Sequence, residues 1–174
     1  MLADIVSKNG NLLLNIPVRG DGTIDADEVA FLREMAAWMK INGEAIFGTR
    51  PWKLYGEGPA TEMTADSRRG ANFNERAARS FTAQDIRFTT RGDTLYALAL
   101  AWPESRALTI RSLAAGSSPA AGKVADVHLL GHSGSLQWTQ SENGLTITLP
   151  AQKPCDHAFA FKIRGTGLVQ APGG

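Results

Sequence analysis

The stretch SKNGNLLLNIPVRGDGTIDADE places Asp21, Asp25 and Glu28 close together beside Gly20 and Gly22. Acidic side chains at that density could ligate calcium, and a glycine-dotted loop before a helix could cradle phosphate. The string from Asp21 to Asp25 followed by Glu28 mimics the second half of an EF-hand loop. Counting back, however, the first and third ligand positions fall on Pro17 and Arg19, which supply no carboxylate. Phosphate fares no better. A helix N-terminus attracts anions, but Asp21, Asp25, Asp27 and Glu28 crowd this one, and neither GxxxxGK[ST] nor GxGxxG is present. A strand, a turn and a capped helix explain these residues better than either ion.

The other chemistry-bearing residues are sparse. His128 and His132 are four apart, yet the intervening LLG and a strand-like context argue against a helical metal pair. Cys155 is the single cysteine, which excludes an internal disulfide, and no neighbouring motif makes it a nucleophile. Trp102, Trp138 and Tyr96 could form a sugar-stacking platform, although aromatic side chains of this kind more often belong to a core. Both Arg-Gly-Asp triplets, at 19–21 and 91–93, coincide with expected turns, and Gly-Asp is good turn chemistry. No cofactor or metal is expected.

The elements that position these residues follow two grammars. Residues 11–18, NLLLNIPV, form a short continuous apolar run, expected to be a strand buried on both faces. A helix is expected over 26–42, with Asp25 as N-cap, Glu28 completing a capping box and Ile24 stapling onto Val29. Val29, Leu32, Met35, Ala36 and Met39 make its apolar stripe, and Asn42-Gly43 is expected to stop it in the left-handed region. One doubly buried strand and one helix cannot form a domain, so residues 1–52 are read as the last βα unit of a truncated α/β domain. Residues 53–84 read as a linker, because apolar residues there lack any period.

From residue 85 the pattern turns all-β. Segments 85–91, 94–102, 107–113, 124–130, 136–139, 145–149 and 158–164 are strand-like and separated by turn residues. The fold class is therefore mainly β: an antiparallel sandwich over 85–165, behind the remnant βα unit, with 166–174 expected to be a disordered tail.

Composition is that of an ordinary globular chain: 174 residues, 43% hydrophobic, 20% charged, net charge +1. That balance gives no electrostatic reason to expect nucleic acid or an anionic membrane surface as partner. No apolar run approaches the roughly 20 residues of a membrane span. MLADIVSKNG lacks a basic segment followed by an apolar one, so it does not read as a secretory signal, and the compartment stays open.

The joined strings DIVSKNGNLLLN, GDGTI and NGEAIFGTRPW closely resemble the end of the catalytic barrel in α-L-fucosidases of glycoside hydrolase family 29. FTAQDIRFTTRGDTLYALALAWP resembles the start of the β-sandwich that follows that barrel, and the similarity covers residues 2–52 and 81–164. One departure is IPVRGDG, where the family commonly carries a VGP-type turn. The resemblance implies a (β/α)8-like barrel preceding this chain in the parent, and removal of terminal α-L-fucose from glycans with retention. Retaining chemistry needs two carboxyl groups about 5–5.5 Å apart. In the family both lie upstream of this segment, so no catalytic residue is expected in this chain and it should be inactive alone. Asn15, near the C-terminal end of the expected strand, is the polar side chain best placed to face the parent's pocket, or else orders the next loop. The rival reading is a carbohydrate-binding sandwich using Trp102 and Trp138. A third is pairing with a separate barrel, or self-association, through NLLLNIPV.

Overall fold

In the computed structural model, which describes residues 1–61, 81–116 and 122–169, a two-sheet β-sandwich carries two helices against one outer face. The elements are α1 (Leu2–Ser7), α2 (Ala26–Asn42), β1 (Arg50–Glu57), β2 (Ile86–Arg91), β3 (Thr94–Ala99), β4 (Ala107–Ile110), β5 (Lys123–Leu129), β6 (Gln137–Ser141), β7 (Gly144–Thr148) and β8 (Phe159–Thr166). One sheet runs β1-β2-β3-β8-β5 and the other β4-β7-β6, with antiparallel pairing throughout. All seven strands expected of the sandwich are present.

Burial along each strand follows from what covers it. β7 (GLTIT) alternates buried and exposed beyond its first residue, because the smaller sheet is packed on one face and solvated on the other. On its wet face Thr109 and Thr146 join hydroxyls at 3.1 Å across the β4–β7 pair. β3 (TLYALA) is buried at every position. Its inward residues Leu95, Ala97 and Ala99 join the core between the sheets. Tyr96 and Leu98 point the other way, into a second cluster with Ala3, Ala45, Ile46 and Ala160. Phe88, Phe159 and Phe161 anchor the inter-sheet core, and each fully buried side chain of that size contributes roughly 1.5–3 kcal/mol. The β2–β3 hairpin closes on Gly92-Asp93 between the paired residues Arg91 and Thr94. Gly92 adopts φ +60°, the conformation a tight hairpin needs at its first central position.

Several expectations need correcting. Residues 11–17 are not in a strand, and the segment's one β-bridge joins Val18 to Ile24. No parallel neighbour among the described residues offers the run a ladder, so its backbone cannot complete a sheet. Helix α2 has the expected bounds, but Asp25 makes no capping hydrogen bond; its carboxylate instead accepts from Arg19 Nε at 2.7 Å. Asp21 Oδ1 takes the loop amide, accepting from Thr23 N at 2.9 Å. Gly43 is right-handed rather than left-handed, and the chain continues through a 3-10 turn, Gly43–Ala45. Beyond it, Gly48 supplies the positive φ.

β1 occupies the start of the segment read as a linker, and its pairing with β2 makes it part of the sandwich. Residues 62–80 of that segment lie outside the described residues. The start of the expected tail is also ordered: Leu168 is fully buried and its carbonyl accepts Trp52 Nε1 at 2.8 Å. Positions 170–174 lie outside the described residues.

Candidate functional site

The helices meet the sandwich along the outer face of the five-stranded sheet, and the polar groups of that junction are tightly matched. The short α1 helix has no side-chain N-cap, so its position depends on tertiary contacts. Arg87, on β2, is 1% exposed and aims at α1, where Nε donates to Asp4 Oδ1 at 2.5 Å. Lys8 Nζ binds the other oxygen of Asp4 at 2.8 Å. Burial raises the Asp4 pKa, but the hydrogen bonds from Lys8 and Arg87 outweigh it and hold the carboxyl below its ordinary value. Tyr55 and Phe81 present ring faces to the same guanidinium.

At the other end of the junction, Asn42 closes α2 as its one buried residue. Its Oδ1 accepts from Ala160 N at 3.2 Å, and its Nδ2 donates to Trp38 O at 3.2 Å and to Cys155 Sγ at 3.4 Å. Trp38 Nε1 donates to Ala158 O at 2.8 Å. Cys155 is half-buried, and burial pushes its thiol pKa up, which makes it a poor nucleophile. Glu44 follows in the 3-10 turn and accepts hydrogen bonds from Lys162 Nζ and Tyr96 Oη. Hydrogen bonds from Lys162 and Tyr96 lower its pKa. Burial and the bond to Glu44 raise that of the phenol.

The helices' opposite face is unlike this. Leu12, Leu14, Phe31, Met35, Trp38 and His157 line an apolar cleft of about 270 Å³. On its wall Phe31 is 44% exposed, and Leu13, between the lining residues Leu12 and Leu14, is 94% exposed. Large apolar side chains clustered to this extent mark a surface built to be covered.

The sequence candidates are not brought together. Asn15 is exposed on the extended run before Val18. Trp102 and Trp138 are half-buried and pack against the inter-sheet core, Trp102 meeting Phe159 edge-on with centroids 4.7 Å apart. His128 sits 3.0 Å from Asp126, His157 lies 3.5 Å from Glu34, and His132 belongs to neither pair. Among the described residues no group of three or more His, Cys, Asp or Glu could hold a metal. Two further acids have structural partners. Glu57 accepts from Arg111 N at 2.8 Å and Ser112 N at 2.7 Å, while Asp85 accepts from Ala60 N at 2.7 Å and Thr82 N at 2.8 Å. The junction residues Arg87, Asn42 and Glu44 were missed in the sequence. Arg87 alone carried a signal, as an arginine inside the apolar run IRFTT.

Residues 1–44 match the α-L-fucosidase family model and residues 79–164 match the α-L-fucosidase C-terminal domain. An α-L-fucosidase of Branchiostoma floridae is 31% identical over 170 residues, covering 95% of this chain and 31% of its own. Human tissue α-L-fucosidase is also 31% identical over 170 residues, with 96% and 30% covered. The Thermotoga maritima α-fucosidase structure in complex with a mechanism-based inhibitor superposes with a TM-score of 0.66 at 24% identity, covering 93% of this chain and 32% of that one. α-L-Fucosidase isoenzyme 1 from Paenibacillus thiaminolyticus gives a TM-score of 0.64 at 23% identity, with 94% and 32% covered. The chain thus spans about a third of the length of its relatives. Two family models joined in order, on a sandwich with that fold, place the chain in the α-L-fucosidase family, as its C-terminal part.

Proposed function

We propose that this chain is the structural, accessory part of a retaining exo-α-L-fucosidase, which as a whole removes terminal α-L-fucose from glycoconjugates. The catalytic barrel is its partner in the same parent protein. The observation that carries this reading is the two-sidedness of the α1–α2 layer. One side is bonded to the sandwich through Asp4–Arg87, Asn42 and Glu44–Lys162. The other leaves Leu13 and Phe31 exposed around an apolar cleft, as a surface continuous with a barrel should. The chain's contribution is to close that barrel and hold the sandwich rigidly against it. Within this reading Asn15 is the residue of this chain assigned to the edge of the fucose pocket.

Hydrolysis of an aryl α-L-fucoside by the purified chain, alone and fused behind a fucosidase catalytic barrel, tests the proposal. Turnover by the fusion only is the expected result, and turnover by the chain alone would overturn it. Asn15→Ala in the active fusion should raise KM more than it lowers kcat. The rival carbohydrate-binding reading has less support, because Trp102 and Trp138 are packed against the core rather than presented as an open platform.

A further inference from the structure

On the outer face of the five-stranded sheet, beyond the helix junction, a polar pocket of about 390 Å³ is bounded by Glu44, Arg91, Thr94, Tyr96, Lys162 and Arg164. Strand register builds it. Arg91 of β2 pairs with Thr94 of β3, Tyr96 of β3 pairs with Lys162 of β8, and Asp126 of β5 pairs with Arg164 of β8. Residues paired across a ladder point to the same face, so these side chains form two adjoining rows.

The charges in those rows do not cancel. Glu44 is committed to Lys162 and Tyr96, and Asp126 to His128 Nε2 at 3.0 Å. Arg164 Nε donates only a long 3.4 Å hydrogen bond to Thr94 Oγ1. Among the described residues the Arg91 guanidinium makes no side-chain hydrogen bond or close ion pair. Two guanidinium forks therefore border one concave site without a close ion-pair partner, on a chain whose net charge is only +1. Glu44, the carboxylate lining it, acts on Arg91 only at longer range while bonded to Lys162 and Tyr96. Paired guanidiniums match planar or tetrahedral oxyanions, which they bind through two parallel hydrogen bonds. The volume greatly exceeds the roughly 30 Å³ share of one water molecule, leaving room for a body behind the anion.

We infer that this pocket binds the oxyanion of an acidic sugar, a carboxylate or sulfate ester, between Arg91 and Arg164. The choice of a sugar as the body rests on the fucosidase reading; the oxyanion does not. Lys162 and Glu44 neutralise each other at the edge of the site, and the Thr94 hydroxyl, which accepts from Arg164 Nε and donates to Asp93 Oδ1, keeps the Arg164 guanidinium beside the pocket.

The test is an NMR titration of the full 174-residue chain with glucuronate and with glucose 6-sulfate, against glucose and against sodium chloride at matched ionic strength. Saturable shifts centred on residues 91–96 and 162–164 are expected with one or both acidic sugars, and which of them binds identifies the oxyanion. Arg91→Ala with Arg164→Ala should weaken that binding at least about tenfold. A control with the same charge loss elsewhere, Arg33→Ala with Lys153→Ala, should change it less than about twofold. If the double variant fails to fold, Arg91→Ala alone should still weaken binding about threefold, since that side chain makes no hydrogen bond or close ion pair among the described residues that folding would lose. Equal losses in variant and control, no preference over glucose and chloride, or binding of inorganic sulfate as tightly as of either sugar (an adventitious ion only) would each overturn the inference. Fucoside hydrolysis by the fusion is a separate readout, so failure here leaves that reading untouched, and its failure leaves the pocket to be judged on this titration.

Discussion

Arg87, 1% exposed within β2, is held by Asp4 of a six-residue helix that precedes it by 83 positions. The pair is the main polar bolt between α1 and the sandwich. Removing one partner from a buried pair costs more than the pair contributes, because a charge is left uncompensated. Asp4 keeps some contact with water, so Asp4→Ala should cost about 3 kcal/mol, at the low end for such pairs. Urea unfolding should give that loss, and adding Arg87→Met should recover part of it. A loss below about 1 kcal/mol would mean that Arg87 finds another partner.

The acid limb of stability should carry the same signature. Asp4 and Glu44 both have folded pKa values below their ordinary 3.8 and 4.5. A depressed folded pKa stabilises the native state above the unfolded value, and that stability is lost as pH falls through the folded value. These two groups should therefore leave stability unchanged down to about pH 5 and erode it below. Asp4→Asn with Glu44→Gln should be less stable at neutral pH and show a flatter decline between about pH 5 and 2. A parallel decline in both proteins would assign the acid sensitivity to other carboxyls.

Glu57 caps the 3-10 turn Arg111–Leu113 from across the sandwich, accepting from two successive amides. Glu57→Ala removes both amide bonds, one exposed and one part-buried, and a third from Ser112 Oγ. A cost of about 1–2 kcal/mol is expected from thermal or urea unfolding, with Glu57→Gln losing less because one acceptor oxygen remains.

How much of this was legible depended on whether a residue's role was local. LTIT belongs to a strand whose alternation of buried and exposed residues the sequence itself encodes, and α2 begins and ends where its flanking residues indicate. FAFKI alternates in sequence yet is buried on both faces, because the helix layer covers Ala160. β1 was hidden because its pairing with β2 shifts register between Pro51 and Gly56, which breaks any alternation in RPWKLYGE. Leu168 was hidden behind glycines, since its burial depends on Trp52, 116 residues away. Asp25 offered a cap that Arg19 outcompetes with charge. NLLLN carried the opposite error, a strand pattern whose ladder requires neighbours that the described residues lack. The junction site was least legible, because Asp4, Asn42 and Glu44 become meaningful only when the sheet is placed beneath them.

Gly165 illustrates a requirement that only packing reveals. A Cβ there would stand 2.1 Å from Lys123 O, beside the register shift at Val124 and Asp126 where β5 meets β8. Backbone is not a flexible neighbour, so Gly165→Ala must push the two strands apart. A destabilisation of about 2 kcal/mol or more is expected in urea unfolding, with the loss of amide protection concentrated on β5. Unchanged stability would show that this edge strand shifts freely.

The exposed side of α2 is the feature most open to a direct solution test. Phe31 and Met35 lie one turn apart on the wall of the apolar cleft, with Leu12 and Leu14 facing them. If the surface is built to be covered, the isolated chain should cover it with whatever is available, including another copy of itself. Light scattering should therefore show concentration-dependent association of the chain. Phe31→Ser with Met35→Ser should shift it toward monomer at unchanged far-UV circular dichroism, because neither side chain is fully buried. In the barrel fusion the same pair of substitutions should act in the opposite sense, lowering stability by about 2–4 kcal/mol as covered apolar groups are lost. A chain that stays monomeric throughout, or a fusion indifferent to the substitutions, would mean that this face is not where the barrel docks.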